Sequence, residues 1–157
     1  MDAAAQGHRI EELPAWTGAG LMIDCPGFDG SGIAAVWEKF SPYIYGGTEH
    51  VGIFGISLPL PENAPGFRYW AVMKLRPGQA APAGLDTVNF PASRFAVWHF
   101  HDHPSQLPVH FQDIYNNRLK GAGLASALPW MSMEHYGPDW HDEAAGRFRL
   151  DLWIAIS

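Results

Sequence analysis

Four of the chain's eight histidines lie in VWHFHDHPSQLPVH, at His99, His101, His103 and His110. Histidine is the commonest metal ligand, and the alternation of the first three predicts that they share one face of a strand. A His-x-His pair needs a third ligand and supporting partners, and the nearest comparable side chain, Gln106, is a poor substitute. We therefore expect these histidines to be polar side chains of a strand end that leads into a helix, with no tightly bound metal.

A second kind of chemistry is suggested by Asp151, in the closing segment RLDLWIAI. Alternation places one uninterrupted apolar row on one face of this strand, with Leu150, Leu152, Ile154 and Ile156. This row suits packing beneath a helix. Asp151 and Trp153 then take the other face, where a ligand could bind.

Glu134 is the other acid among aromatic residues, in MSMEHY. Met131 and Met133 suit a core, which predicts that Glu134 and Tyr136 face the ligand side. An internal repeat maps Asp151 and Trp153 onto Trp70 and Val72, and it sets Phe54 opposite Glu134.

A carboxylate in an aromatic cleft is costly to desolvate, so it attracts a cation or rises in pKa. Surrounding rings add cation–π attraction. Glu134 is the first candidate and Asp151 the second, although Glu134 could instead pair with an arginine or meet solvent at a strand end. Trp37 and Trp98 either line the ligand site or belong to the core between helix and sheet. The full set of expected ligand contacts is Glu134, Trp70, Trp153, Tyr136, Asp151, Phe54, Trp37 and Trp98.

The elements that must position these residues occur twice. LPAWTGAGLM resembles FPASRFAVWH, with Pro14 matching Pro91, and GFRYWAVMKL precedes RFRLDLWIAI by some eighty residues. Helical patterns follow each first strand, one opened by Ser31 as N-cap and one running from Pro104 to Gly121. HVGIFGISL and PWMSMEHY supply a further strand in each half, so each half is predicted to run strand, helix, strand, strand.

We therefore predict one α+β domain over residues 1–157. Its pseudo-symmetric β-α-β-β halves, about 8–77 and 85–157, should meet near residues 77–85. We expect one mostly antiparallel sheet with both helices on one face and a ligand cleft on the other.

Composition excludes several classes of function. A formal net charge of −6 argues against nucleic acid, whose phosphates require clustered Lys and Arg. Cys25 is the one cysteine, so the sequence predicts neither a disulfide framework nor a cysteine-based zinc site. The chain shows no signal-peptide pattern and no apolar run long enough to span a bilayer. We expect a cytoplasmic protein that contacts neither membrane nor nucleic acid directly.

With its repeat, the chain resembles the GyrI-like effector-binding domains of the SOUL-like superfamily, which also form the ligand-binding part of AraC- and MerR-type regulators. The resemblance covers nearly the whole chain and is carried by LPAWTGAGL, VWEKF, IFGIS, PASRFAVWHF, MEHYGP and LDLWIAI. Two positions depart from the family's usual closing strand, since Asp151 stands for a Glu and Ala155 for a Pro. There is no helix-turn-helix, so the chain is similar to the standalone members.

The resemblance implies a receptor for amphipathic cations or aromatic compounds, held between the halves near an acidic residue. Standalone relatives include a gyrase-binding protein, mobile-cassette drug-binding proteins and hydrolases of reactive cyclopropane toxins. Three functions therefore stay open: multidrug sensing or sequestration, hydrolysis with Glu134 as acid or base, and inhibition of a protein target. No nucleophile elbow, P-loop or dinucleotide fingerprint is present. We expect binding rather than catalysis, with no cofactor, and the sequence leaves a homodimer open.

Overall fold

A computed structural model describes residues 7–137, 140–142 and 146–157. The chain divides into two compact units. The first unit is Pro14–Ala92, and the second combines the residues up to Leu13 with Ser93–Ser157. Each unit carries helix and antiparallel sheet, so the expected α+β class is confirmed.

The first unit contains four strands and one long helix. These are β2 (Trp16–Pro26), α1 (Ile33–Tyr45), β3 (Ile53–Pro59), β4 (Gly66–Lys74) and β5 (Asp86–Phe90). A short 3-10 turn spans Pro61–Asn63. The strands lie in the order β3-β4-β2-β5, and each neighbouring pair is antiparallel.

The second unit repeats this plan. Its strands are β1 (Arg9–Leu13), β6 (Ser93–Asp102), β7 (Ser132–Tyr136), β8 (His141–Asp142) and β9 (Arg147–Ile156). Strands β1, β6, β9 and β7 are neighbours in that order, and β8 pairs with β9. Its helical segment consists of a 3-10 turn Pro104–Gln106, α2 (Leu107–Asp113), a π turn Ile114–Arg118 and α3 (Leu119–Gly121).

The predicted order of strand, helix, strand, strand is confirmed in both units, but β1 and β5 add a strand before each repeat and the two-residue β8 adds one before β9. Pro14 and Pro91 separate β1 from β2 and β5 from β6. Strand β1 pairs with β6, whereas β5 pairs with β2. The chain therefore passes between the two units at residues 13/14 and 92/93. The sequence repeat did not indicate which unit each added strand joins. A proline, which breaks a β ladder, stands at the same place in both halves, so the two halves look alike there.

The core of the second unit lies between β9 and the helical segment. Leu152 and Ile154 are fully buried in it, together with Ile114 of the π turn. Five apolar residues of the helical segment join this cluster: Leu107, Phe111, Ile114, Tyr115 and Leu119. The face of β9 that carries Leu150 to Ile156 therefore packs against the helical segment, as predicted, and we call it the helix side of the second unit.

Helix α1 packs on the sheet of the first unit through buried Val36 and Phe40. The predicted N-cap, Ser31, is wrong: Gly32 occupies the N-cap position without a side-chain hydrogen bond. The Asp29 carboxylate instead accepts the backbone N–H of Ser31 at 3.0 Å. This aspartate makes an Asx turn before the helix, because its short side chain reaches the backbone two residues on.

Among the described helices, none is both long and apolar enough to cross a membrane.

Ile114 is fully buried, so its replacement by alanine leaves a cavity in the core of the second unit. We expect Ile114→Ala to lower the free energy of unfolding by about 2–5 kcal/mol, measured by urea denaturation. Leu128→Ala is the control, because Leu128 is 91% exposed and should change stability by less than about 0.5 kcal/mol. Similar losses in both variants would contradict this assignment of the core.

Candidate functional site

The register of β7 on β9 determines which way the two acids face. Glu134 lies opposite Leu152, and Met133 lies opposite Trp153. Directly opposed residues of an antiparallel pair share a face, so Glu134 and Tyr136 lie on the helix side. The prediction that they share a face with Asp151 and Trp153 is wrong. Met133 is fully buried although it lies on the other face, so burial of the methionines did not identify the helix side.

The same register shows that the correspondence inferred between Phe54 and Glu134 is shifted by one residue. Phe54 lies opposite Val72 in the first unit, just as Met133 lies opposite Trp153 in the second. Because the repeat maps Val72 onto Trp153, Phe54 corresponds to Met133 rather than to Glu134. Gly55 is the residue of the first unit that corresponds to Glu134.

Glu134 has an unusual environment for a carboxylate. Only 6% of its surface is exposed, and it is the one charged residue among the buried side chains that the structure describes. The Tyr136 hydroxyl donates a hydrogen bond of 2.6 Å to Glu134 Oε1. Tyr136 also packs edge-on against Trp140, with ring centroids 5.6 Å apart. Glu134 therefore combines deep burial with a hydrogen bond from an aromatic side chain that itself packs against Trp140.

Asp151 lies on the other face, as predicted, but its charge is balanced. Arg9 Nη2 lies 2.9 Å from Oδ2, and His99 Nδ1 lies 2.7 Å from Oδ1. Burial by itself would raise the pKa of Asp151, yet the hydrogen bonds and charges of Arg9 and His99 outweigh it and lower that pKa. Arg9 also lies over the Trp153 ring, 5.8 Å from its centroid.

Arg9 was missed by sequence reasoning because β1 was not recognised. The alternation in RIEEL was the available signal, since it puts Arg9 and Glu11 on one face and Ile10 on the other. Arg9 Nε also donates a hydrogen bond to Glu11 Oε1 at 3.0 Å.

The first unit holds three of the expected ligand contacts. Trp37 lies between α1 and the sheet, where its Nε1 donates to the Tyr69 hydroxyl at 3.0 Å. Phe54 and Trp70 lie on the opposite face of that sheet. Trp70 directly follows Tyr69 on β4, and Phe54 is paired with Val72, which shares the face of Trp70. Phe54 contacts Trp16, with ring centroids 5.5 Å apart.

Trp98 lies on the helix side of the second unit, opposite Leu152 in the register. Its side chain is 1% exposed and belongs to the hydrophobic core, so the structure brings it onto the same face as Glu134. Its indole N–H has no hydrogen-bond partner among the described residues.

The histidine cluster is divided among local roles. His99, on β6, pairs with Asp151 of β9. His103 follows the end of β6, and its Nδ1 accepts a hydrogen bond from the backbone N–H of Ser105 at 3.1 Å. The prediction that the first three histidines share one strand face is therefore wrong for His103. His110 Nε2 lies 2.8 Å from Asp102 Oδ2. Within the described part of the chain, no group of three His, Cys, Asp or Glu residues could hold a metal ion.

Comparison with known proteins gives a consistent family. A model of the GyrI-like small molecule binding domain matches residues 7–157. The transcriptional regulator BrlR of Pseudomonas aeruginosa is 28% identical over 153 residues, which cover 94% of this chain and 54% of BrlR. The chain thus spans about half the length of this curated relative.

Two solved structures are similar in fold. SAV2435 bound to tetraphenylphosphonium has a TM-score of 0.72 and 14% identity, with 96% of this chain and 93% of SAV2435 covered. The integron cassette protein VCH_CASS2, from the mobile metagenome of Vibrio cholerae, has a TM-score of 0.65 and 14% identity, with 97% of each chain covered. At these identities the likeness establishes the fold alone.

The lowered pKa of Asp151 predicts a pH-dependent contribution to stability. The charged form is favoured by folding, so this contribution is present above the unfolded pKa of about 4. It is lost as the pH falls through the lower folded value. We expect Asp151→Asn to reduce the free energy of unfolding by about 1–2 kcal/mol at pH 7, and the difference from wild type to shrink below about pH 4.

Urea denaturation at both pH values checks this, with Asp24→Asn as the matched control. Asp24 pairs with Arg68 at 2.7 Å, but on the exposed surface, and should contribute less than about 1 kcal/mol. Equal losses in the two variants at pH 7 would refute a special role for the Arg9–Asp151–His99 group.

Proposed function

The chain belongs to the GyrI-like family of small-molecule binding domains, and on that premise we propose that it binds amphipathic cations through Glu134. The observation that carries the proposal is a carboxylate 6% exposed on the helix side of the second unit, held by the Tyr136 hydroxyl. The protein would act as a receptor that senses or sequesters such a compound.

Electrostatics support a cationic ligand. A carboxylate loses much of its hydration when it is buried, and an opposite charge brought close to it restores part of that loss. The attraction between the two charges is stronger there than in bulk water because the surroundings have a lower effective dielectric constant. The hydrogen bond from the Tyr136 hydroxyl to Glu134 Oε1 limits how the carboxylate can turn.

Aromatic packing supports a ligand that is amphipathic. Tyr136 leads from Glu134 to Trp140, and Trp140 packs edge-on against Phe148 at 4.9 Å between centroids. Ring faces attract cations and also bury the apolar parts of a ligand. Delocalised or bulky organic cations suit such surroundings better than small hydrated ions.

Asp151 is the weaker candidate for the charged contact. Both of its oxygens are occupied, one by Arg9 and one by His99. A cationic ligand would have to displace Arg9 and would gain little net charge attraction. Phe54, Trp70 and Trp37 of the first unit stay candidate aromatic contacts, as does Trp153 on the face of Asp151.

The relatives are compatible with this proposal. SAV2435 has been solved with tetraphenylphosphonium, a bulky aromatic cation, and BrlR is a transcriptional regulator. We propose the same class of ligand for this chain. We do not extend the regulatory role of BrlR to it, because the chain spans about half of BrlR.

Glu134→Gln separates charge from shape, because glutamine keeps the size of the side chain. We expect the variant to bind tetraphenylphosphonium more weakly than wild type by about 1–3 kcal/mol, the range for a hydrogen bond or ion pair of a charged group. Binding of triphenylphosphine, a neutral aromatic compound without an oxygen acceptor, should be nearly unchanged. Calorimetric titration of both compounds measures the two effects, and Asp151→Asn serves as the charge-removing control.

Equal losses for both compounds would mean that Glu134→Gln alters the shape of the site. Unchanged tetraphenylphosphonium binding would remove Glu134 from the proposed site. Recovery of a bound compound in unaltered form separates a receptor from a hydrolase, since a hydrolase would release altered products.

A further inference from the structure

Two hydrogen-bond donors in the core of the second unit take no part in the interactions described above. Trp98 Nε1 and the Tyr115 hydroxyl are enclosed, and neither has a hydrogen-bond partner among the described residues. Buried polar groups in folded proteins nearly always have such a partner, because an unsatisfied donor forfeits its bonds to water. Two such donors in one cluster therefore indicate an acceptor that the described residues do not supply.

Both donors lie on the face that carries Glu134. Trp98 is opposite Leu152, and Leu152 is opposite Glu134, so the three residues form one row across β6, β9 and β7. Tyr115 comes from the π turn and packs against the same cluster. π turns interrupt the regular ladder of a helix and often occur at functional sites.

Tyr115 approaches the row next to Glu134. Burial raises the pKa of Tyr115 to about 12, and nearby Ser132 offsets part of the rise without meeting hydrogen-bond geometry. The hydroxyl therefore keeps its proton at neutral pH and can donate it. Ser132 precedes Glu134 by two residues on the same face of β7, which is a separation of about 7 Å.

We propose that Trp98 and Tyr115 form a polar subsite that receives a hydrogen-bond acceptor of the ligand whose cationic group binds Glu134. This inference rests on the proposed function and makes it more specific. The preferred ligands are then aromatic cations that carry a carbonyl, ether or phosphoryl oxygen several ångströms from the positive charge. Cations without such an oxygen bind less tightly because both donors remain unsatisfied.

A matched pair of probes tests the subsite. (4-Acetylphenyl)triphenylphosphonium carries a carbonyl oxygen, and (4-isopropenylphenyl)triphenylphosphonium replaces that oxygen with a methylene group of similar shape. Wild-type protein should bind the acetyl compound about tenfold more tightly, the ratio that one good hydrogen bond gives. Tyr115→Phe removes one oxygen atom and should reduce this preference to about twofold or less, while binding of the isopropenyl compound stays unchanged.

Two further variants make the result interpretable. Tyr43→Phe removes a hydroxyl that donates to the Ala83 carbonyl in the first unit, and it should keep the wild-type preference. Trp98→Phe removes the second donor and should also reduce the preference; its thermal unfolding is compared with that of Tyr115→Phe, so that a folding defect is recognised.

Equal binding of the two probes by wild-type protein would overturn the subsite, as would a preference that survives in Tyr115→Phe. In either of these cases, if both probes bind wild-type protein and Glu134→Gln weakens the binding of both, the proposed function stands and only the subsite fails. If neither probe binds, the proposed function fails together with the subsite.

Discussion

Strand β9 of the second unit sets the position of every candidate residue in that unit. It pairs with β6 on one side and β7 on the other, so one register distributes the side chains of three strands between two faces. Its apolar row, Leu150 to Ile156, must be covered by the helical segment because exposing four large aliphatic side chains would forfeit most of the hydrophobic stabilisation of this unit. Once that row faces the helices, alternation places Glu134 and Trp98 on the helix side and Asp151 on the other.

The two acids illustrate how the same functional group takes different roles in one sheet. Asp151 lies at a position where two basic side chains reach it from β1 and β6, so its charge is neutralised by the protein itself. Glu134 lies one residue out of phase, among aromatic and aliphatic side chains, with a tyrosine hydroxyl on one oxygen. The first arrangement stabilises the fold. The second places a deeply buried carboxylate on the helix side, where we propose that a cationic ligand binds.

The orphan donors extend the same reasoning from charge to hydrogen bonding. The indole N–H of Trp98 and the hydroxyl of Tyr115 place polar atoms inside an otherwise apolar core, where a donor without a partner costs free energy. Proteins keep such costs mainly at functional sites. Placing these donors on the face of Glu134 gives a ligand two separate features to match, a positive charge and an acceptor.

The amino-acid sequence by itself determined the class of the fold, the repeated strand-helix-strand-strand order and the apolar face of β9. These depend on local periodicity, which the sequence displays directly. The expected class of ligand came from a family resemblance rather than from any single residue, and it stays a prediction. Three features were decided only by the tertiary structure: the exchange of β1 and β5, the pairing of Asp151 with Arg9 and His99, and the side of the sheet that Glu134 faces. Each depends on which strands become neighbours and in which register. Met133 and Glu134 show the reason, because both are buried on opposite faces of β7, and when both faces of a strand are covered, alternation no longer tells which one meets the helices.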